Sequence, residues 1–246
     1  MKNKINILNV GFNPVGYDEI IAFLLKNRNR KGYICFPDIY NILRANDENW
    51  LWNIYNQSIL TLPDGKPSEI ILKIRGYKEA STISGYWLCT RLLNTGLSHY
   101  FYGTNDINLK LMKQNLVNKF PTANILGFKS PPFLDEYDIK QSNILRDDIE
   151  KIYSLKPDII WIGISSPKQD LLMSHFSNNN TGTVMIGVGA VFDYFAGTAP
   201  MGPEWIKKLG LRWLYQLIND PKRYYPRMKY IFRKLPKALI KEIQKR

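Results

Sequence analysis

Short, almost continuous apolar segments alternate with amphipathic segments along most of this chain, and this alternation constrains the fold more than any other feature. Strands are predicted at 5–12, 32–36, 58–62, 99–103, 124–128, 158–165 and 182–189. Helices are predicted at 17–27, 38–47, 48–56, 66–75, 86–96, 105–120, 146–155 and 167–176, with Asn105 as an N-cap. Strands that are apolar throughout belong to sheets covered on both faces. The sequence therefore predicts an α/β protein with a largely parallel sheet and helices on both faces.

Polar or glycine-rich residues follow several predicted strands at the point where each strand ends. These segments are Phe36-Pro37-Asp38, Pro63-Asp64-Gly65, Gly103-Thr104-Asn105, 165–169 and 187–197. In open α/β sheets, ligands bind beyond the carboxyl ends of the strands. We therefore expect these segments to meet at one edge of the sheet and to line a cleft there.

The sequence Pro63-Asp64-Gly65 has two interpretations. Proline, aspartate and glycine in this order form a strong turn, and taken alone they favour a purely structural role for Asp64. The position of the turn at a strand end also makes the Asp64 carboxylate a candidate reagent in the predicted cleft. The residues themselves leave both interpretations open.

Two further strand ends suit an anionic ligand. The segment 187–197 reads GVGAVFDYFAG, which is not the G-x-G-x-x-G spacing of a dinucleotide site. Its glycines either let backbone amides approach a phosphate or let a strand pack closely against a helix. The segment 165–170 reads SSPKQD and places Lys168 and Gln169 at a helix start, where an anion is favoured. A solvated helix start is the alternative.

The sequence predicts neither a metal site nor a spanning helix. His99 and His175 are isolated, no Cys/His spacing suits zinc, and no Asp-x-Asp pair is present. Cys35 and Cys89 lie in apolar surroundings, as buried reduced thiols do. No apolar run reaches about 20 residues, and the first segment suits a strand better than a signal peptide. We expect a soluble or peripheral protein.

The net charge of +13 is concentrated at the end of the chain. Thirteen Lys and Arg residues and only two acidic residues lie between residues 207 and 246. Apolar side chains recur there at helical spacing, and we expect them to face an anionic membrane: Tyr224, Tyr225, Met228, Ile231, Phe232 and Leu235. The alternative is a helix packed on the core with a solvated basic face. In both cases Pro236 is expected to kink or break the helix, and no nucleic-acid partner is expected.

The segments LPDG, ISSPKQD, IGVGAVFDYFAG and 199–227 together resemble the WecG/TagA/CpsF family of glycosyltransferases. The resemblance is strongest from Asp158 to Arg227. It implies a Rossmann-like catalytic domain, expected at 1–203, and a basic helical C-terminal appendage, expected at 204–246. It also implies an inverting, metal-independent enzyme without a cofactor. Such an enzyme transfers a sugar from a UDP-sugar to a polyprenyl-diphosphate-linked glycan at the cytoplasmic face of the membrane, in surface polysaccharide synthesis.

The resemblance also implies roles for individual residues. Asp64 matches the general base, and Arg223 and Arg227 match arginines that reach the diphosphate. The expected donor-binding residues are Asp38, Gly103, Thr104, Asn105, Lys168, Gln169, Gly187, Gly189 and Asp193.

Two segments depart from the family pattern. Phe36-Pro37-Asp38 stands where Thr-x-Asn is usual, and Thr82 and Trp87 stand where an arginine and an aspartate are expected. We therefore expect the sugar specificity to differ from the family's usual N-acetylmannosamine. A non-catalytic nucleotide- or lipid-binding module is the second hypothesis. Self-association of the chain is left open.

Overall fold

The computed structural model describes residues 3–133, 135, 136, 138–177, 182–203, 206 and 211–244, without the side chains of Lys140, Arg212, Arg223 and Ile243. The strands are β1 (Ile5–Ile7), β2 (Val10–Phe12), β3 (Gly32–Cys35), β4 (Leu60–Thr61), β5 (Ser98–Gly103), β6 (Asn124–Lys129), β7 (Ile159–Gly163) and β8 (Val184–Gly187). The helices are α1 (Tyr17–Lys26), α2 (Ile39–Asp47), α3 (Asn49–Gln57), α4 (Lys66–Ile74), α5 (Gly85–Leu92), α6 (Asp106–Lys119), α7 (Asn143–Ser154), α8 (Lys168–Phe176), α9 (Val191–Ala196), α10 (Arg212–Asn219) and α11 (Pro221–Gln244).

The main sheet has six described strands in the order β4-β3-β8-β7-β5-β6, and every neighbouring pair is parallel. This confirms the predicted α/β architecture. The carboxyl ends of all six strands lie at one edge of the sheet. Asn13 covers the β4 edge of the sheet. Its backbone N–H donates to the Thr61 carbonyl, and its Oδ1 accepts from the Thr61 N–H.

Alternating strand residues form two hydrophobic cores, one on each face of the sheet. Tyr102 and Ile162 face the core that contains α2, α3, α4, α7 and α8. Phe101 and Trp161 face the core that contains α1, α5, α6 and α9. The apolar character of whole strands follows from this arrangement, because both faces of each strand are buried.

The segment 5–12 was expected to form the first strand of the sheet. It forms instead an antiparallel hairpin that is separate from the main sheet. The chain turns at Leu8 and Asn9, which have φ values of 49° and 67°. Two central residues at positive φ make a turn whose twist suits a hairpin. Lys4 anchors the hairpin by donating hydrogen bonds to the carbonyls of Tyr55, Asn56 and Ser58.

Helix α11 packs against α2 and continues through both Pro226 and Pro236, so the expected break at Pro236 does not occur. Ile231 is buried in the first core, and Met228 and Leu235 pack beside it. The expected membrane face is therefore wrong for these three side chains, because docking on α2 uses one of the two apolar stripes of the helix.

The other apolar stripe of α11 is exposed. Tyr225 and Phe232 are 64% and 65% exposed, and Tyr224 is half-buried. The Trp213 ring of α10 meets the Phe232 ring edge-on at 6.2 Å between centroids. Among the described residues, no helix is long and apolar enough to cross a membrane.

Candidate functional site

Two clefts lie side by side at the carboxyl edge of the sheet. The larger cleft, of about 620 Å³, is lined by loops after β5, β6 and β7 and by the start of α9. The smaller cleft, of about 140 Å³, is lined by loops after β3, β4, β7 and β8 and by two residues of the C-terminal helices, Gln216 and Arg227. Ser165 lines both clefts. The predicted convergence of strand ends is therefore confirmed, and it produces two adjoining sites.

Beneath the larger cleft, the strands and α9 pack so closely that neither Gly103 nor Gly163 has space for a side chain. A Cβ atom on Gly103 would lie 2.6 Å from the Gly163 carbonyl group. A Cβ atom on Gly163 would lie 2.7 Å from the Phe192 ring. Gly103 itself does not line either cleft. Its observed contribution is the close approach of β5 to β7, and the donor contact expected from the sequence stays a prediction.

A carboxylate fixed by two donors stands in the larger cleft. Asp193 Oδ1 accepts hydrogen bonds from Thr104 Oγ1 at 3.3 Å and Asn108 Nδ2 at 2.9 Å. Asn105 caps α6, as predicted, by accepting from the Asn108 backbone N–H at 2.9 Å. These bonds hold the carboxylate in one orientation, where it can accept hydrogen bonds from ligand hydroxyl groups.

An aromatic ring and a cation meet at the mouth of the larger cleft. The Lys168 ammonium lies 4.4 Å from the centroid of the Phe133 ring, a cation–π contact. Phe133 is 92% exposed, although it is a large apolar side chain. The pair presents a flat apolar surface beside a positive charge.

Asp64 lies at the smaller cleft in the turn that follows β4. Its side chain is half-buried. The Ile83 N–H donates to the Pro63 carbonyl at 3.0 Å, which holds the loop before α5 beside this turn. The Tyr17 hydroxyl accepts a hydrogen bond from the next residue of that loop, the Ser84 N–H, at 2.8 Å. Burial raises the pKa of Tyr17, and the nearby Asp64 carboxylate adds to the rise. Asp64 thus lies in a turn and also lines a cleft, so the turn and the reagent interpretations are compatible.

A chain of three polar side chains joins the C-terminal helix to the smaller cleft. Asp38 caps α2 by accepting from the Asn41 backbone N–H at 2.9 Å and from Asn41 Nδ2 at 2.8 Å. The other oxygen of Asp38 lies 3.8 Å from an Arg227 guanidinium nitrogen. The Arg227 guanidinium also lies 5.0 Å from the centroid of the Tyr40 ring. Helix α11 therefore delivers a cation to the cleft in a defined position.

Gln169 and the glycines after β8 form the opposite wall of the smaller cleft. Gln169 is 4% exposed, and its Oε1 accepts from the Gly189 N–H at 2.9 Å. A Cβ atom on Gly187 would lie 3.0 Å from Gln169 Nε2 and 2.6 Å from Met173 Cε. The glycine at 187 is thus required by close packing of β8 against α8, which was one of the two interpretations of this motif.

A buried carboxyl group lies beneath the smaller cleft. Asp170 is 1% exposed and accepts hydrogen bonds from Ser166 Oγ, which lines the cleft, and from the Tyr55 hydroxyl at 3.5 Å. Burial raises the pKa of Asp170 to about 6, and the Ser166 hydrogen bond opposes this rise. The Cys35 thiol also contacts this carboxyl group, and burial raises the pKa of that thiol. Both cysteines are buried and free, as predicted.

The predicted site residues divide between the two clefts. The smaller cleft is lined by Asp38, Asp64, Gln169, Gly187, Gly189 and Arg227. The larger cleft is lined by Thr104, Asn105, Lys168 and Asp193. The side chain of Arg223 lies outside the described part of the structure. Within the described ranges, no group of three or more His, Cys, Asp or Glu side chains is arranged to hold a metal ion.

Several cleft residues were not anticipated from the sequence. Asn41 and Asn108 line the clefts, and Asp170 supports Ser166, which belongs to the predicted segment 165–169. Asn41 and Asn108 share one sequence signal, since each lies three residues after a helix N-cap and donates to the cap side chain. Among the departures from the family pattern, Phe36 lines the smaller cleft. Thr82 donates to the Glu69 carboxylate.

A family model described as Glycosyl transferase WecG/TagA/CpsF family matches residues 5–246. A protein from Bacillus spizizenii, named N-acetylglucosaminyldiphosphoundecaprenol N-acetyl-beta-D-mannosaminyltransferase, is 26% identical over 66% of this chain and 62% of its own length. A Bacillus subtilis protein of the same name is 24% identical over 70% of this chain and 66% of its own length. A Staphylococcus aureus protein of that name is 36% identical over 30% of each chain. The match thus spans less than two thirds of either Bacillus relative.

Proposed function

The chain belongs to the WecG/TagA/CpsF family of glycosyl transferases, and on this premise we propose that it transfers a sugar from a UDP-sugar to a polyprenyl-diphosphate-linked glycan at a membrane surface. The observation that carries the proposal is the smaller cleft, where Asp64 and Arg227 line one space although they are far apart in the sequence. A carboxylate and a guanidinium group are the two reagents that a metal-independent transfer requires.

In the proposed reaction, Asp64 acts as the general base. The acceptor hydroxyl oxygen attacks the anomeric carbon from the face opposite the leaving group, and its proton moves to the Asp64 carboxylate. The bond between the anomeric carbon and the β-phosphate oxygen breaks, and its electron pair leaves with UDP. The configuration at the anomeric carbon is inverted, since the new bond forms on the opposite face.

We assign Arg227 to the charge that develops on the leaving UDP. The Asp38 carboxylate and the Tyr40 ring hold its guanidinium group in place before the ligand arrives. A preorganised cation stabilises developing negative charge without reorganisation during the reaction. Arg223 is proposed for the same task from the sequence, since it lies one helical turn before Arg227.

We assign the nucleoside to the larger cleft. Its volume of about 620 Å³ lies in the range of small-molecule sites. The Asp193 carboxylate, held by Thr104 and Asn108, suits the hydroxyl groups of a ribose. Lys168 at the mouth of the cleft provides positive charge toward the phosphates.

The exposed apolar stripe of α10 and α11 is proposed as the membrane-facing surface. It consists of Trp213, Leu214, Ile218, Tyr225, Phe232 and Ile240. Exposed basic residues of α11 accompany it, namely Lys222, Lys229, Arg233, Lys237 and Lys241. Apolar side chains beside Lys and Arg favour an anionic lipid surface. Arg227 lies on the same helix, so binding of this surface to a membrane would bring the smaller cleft close to a lipid-linked acceptor.

The catalytic proposal is tested with purified protein in buffer containing a chelator. UDP should raise the melting temperature, whereas ADP should have a smaller effect. A screen of UDP-sugars against undecaprenyl-diphosphate-linked N-acetylglucosamine should then yield a disaccharide product. Absence of stabilisation by any nucleoside diphosphate contradicts the proposal. Binding of UDP without hydrolysis or transfer of any sugar supports the second hypothesis, a non-catalytic binding module.

Membrane association is tested with vesicles. The protein should sediment with phosphatidylglycerol vesicles and not with phosphatidylcholine vesicles, and high salt should weaken the binding. Phe232→Ser should reduce the bound fraction. Ile107→Ser is the matched control, because Ile107 is 76% exposed but lies on α6. Equal loss in both variants would contradict the assigned surface.

A further inference from the structure

We infer that Asn41 is a specificity-determining residue, whose side-chain oxygen accepts a hydrogen bond from a hydroxyl or amide N–H group of the sugar bound in the smaller cleft. The inference rests on the proposed function and goes beyond it, because it names the chemical group that the cleft recognises. Asn41 lies in the first turn of α2 and lines the smaller cleft with Asp38, Asp64 and Arg227.

The observation that carries the inference is a buried acceptor without a protein partner. Asn41 is 1% exposed, and its Oδ1 has no hydrogen-bond partner among the described residues. Buried polar groups in folded proteins are nearly always hydrogen-bonded. A buried acceptor at a cleft gains its partner when a ligand brings a donor.

The orientation of the Asn41 amide follows from its neighbours. Nδ2 donates to Asp38 Oδ1 at 2.8 Å. If the amide were flipped, its oxygen would face a carboxylate oxygen at that distance, and two acceptors would repel each other. The Asp38 carboxylate therefore fixes Nδ2 on its own side and leaves Oδ1 as the amide atom without a described partner.

The chemistry of Oδ1 excludes one part of the donor substrate as its partner. The diphosphate group of a UDP-sugar carries no proton at neutral pH and presents only acceptor oxygens, so it cannot donate to an amide oxygen. A phosphate partner is supplied instead by Arg227, on the other side of Asp38. The partner of Asn41 is thus a neutral donor such as a sugar hydroxyl or an acetamido N–H. Either the donor sugar or the acceptor sugar can bring this group.

The test compares ligands with and without the sugar. Asn41→Leu removes the acceptor at similar side-chain volume, and Asn41→Ser is the second variant should the leucine variant fail to fold. The dissociation constant for UDP should stay within about twofold of that of the unmodified protein. The dissociation constant for the UDP-sugar, or else the KM for the lipid-linked acceptor, should rise about tenfold, as expected for one lost hydrogen bond.

The two measurements, of UDP-sugar affinity and of acceptor KM, show which of the two sugars supplies the hydrogen-bond donor. A weaker UDP-sugar complex assigns the bond to the donor sugar, and a raised acceptor KM alone assigns it to the acceptor. Deoxy analogues then identify the position, because the analogue that lacks the partner group should bind both proteins equally well. Asn46→Leu is the matched control, since Asn46 lies on the same helix and does not line the cleft.

The outcomes also separate this inference from the proposed function. If the unmodified protein binds UDP and transfers sugar, but both Asn41 variants keep sugar affinity and acceptor KM, the inference is wrong and the proposed function stands. A loss of affinity that is equal for UDP and UDP-sugar indicates a structural role for Asn41 and also contradicts the inference. If the unmodified protein does not bind UDP at all, the proposed function fails and the inference falls with it.

Discussion

The larger and the smaller cleft adjoin at Ser165, yet they are built in different ways. The larger cleft draws its lining from residues 104–199, and its polar groups are already bonded to one another, as Asp193 is to Thr104 and Asn108. The smaller cleft draws its lining from residues 36–227. It contains two carboxylates, a guanidinium group and a buried amide oxygen without a described partner.

Under the proposed function, this difference separates nucleotide binding from sugar transfer. The larger cleft is formed by the sheet and its nearest helices alone, without a described residue of α10 or α11. The smaller cleft is complete only when α11 docks on α2 and brings in Arg227. Changes to the larger cleft should therefore affect nucleotide affinity, whereas changes to the smaller cleft should affect transfer.

The largest expected effect is in the smaller cleft at Asp64. Asp64→Asn should lower the rate of transfer by about 10²–10⁴-fold, the usual contribution of a general base, while UDP affinity stays within about twofold. Transfer is measured with the lipid-linked acceptor, and UDP affinity by titration. Asp106→Asn is the control, because Asp106 is exposed in the first turn of α6. Near-normal turnover of Asp64→Asn would assign Asp64 to the turn alone.

The second prediction concerns the carboxyl group beneath the smaller cleft. The folded-state pKa of Asp170 is raised from 3.8 to about 6, so the folded protein binds more protons than the unfolded chain between these pH values. The contribution of Asp170 to the free energy of unfolding should therefore fall as the pH rises from about 4 to about 6. The cost above pH 6 is up to about 3 kcal/mol.

Asp170→Asn keeps a hydrogen-bonding side chain and removes the charge. Its free energy of unfolding should exceed that of the unmodified protein at pH 8 and equal it near pH 4. Denaturant titrations at both pH values provide the measurement. A difference that does not change with pH would show that the folded-state pKa of Asp170 is not raised.

The third prediction tests the cation from α11. Arg227→Ala should reduce transfer by about 10²-fold, the effect of removing one preorganised donor from a developing charge. Stability should change little, because the contact with Asp38 is 3.8 Å long and partly exposed. With a soluble acceptor analogue and no vesicles, Lys229→Ala, on the exposed side of the same helix, should leave transfer unchanged. If both variants lose activity equally, the effect arises from the charge of the helix and not from the cleft.

The smallest effect is expected in the larger cleft. Asp193→Asn should weaken UDP binding about tenfold, since one hydrogen bond to a charged group is lost, and the turnover at saturating donor should be almost unchanged. The 2′-deoxy nucleotide should be less sensitive to the substitution if the carboxylate contacts that hydroxyl. Asp138→Asn, at an exposed position outside both clefts, is the control. A fall in turnover without a change in UDP affinity would show that Asp193 acts in the transfer and not in nucleotide binding.

The sheet and the cleft edge could be predicted from the sequence because their signals are local. Apolar strands, helical periodicity and the Asn105 cap need only neighbouring residues, and strand ends in a parallel sheet must meet at one edge. The hairpin at 5–12 was missed because its turn residues, Leu8 and Asn9, include no glycine, and only Asn9 is of a type that favours positive φ.

The docking of α11 and the contacts within the smaller cleft could not be predicted, because they depend on tertiary packing. Helix α11 carries two apolar stripes, and its sequence does not indicate that Ile231 packs on α2 while Phe232 stays exposed. The role of Asn41 could not be anticipated either, because it follows from the position of Asp38 and from the cleft beyond it. The resemblance indicated Arg227, but its contact with Asp38 is visible only in the folded structure.

The close packing of Gly103, Gly163 and Phe192 beneath the larger cleft limits which substitutions can change the specificity of this protein, in evolution or by engineering. Any side chain added at Gly103 meets the backbone of Gly163, and any side chain added at Gly163 meets the ring of Phe192. Substitutions at these two glycines therefore disturb the packing of the sheet and do not reshape the cleft. Changes of specificity are expected instead from substitutions on the walls, where an exposed residue such as Phe133 lines the cleft without being part of a core.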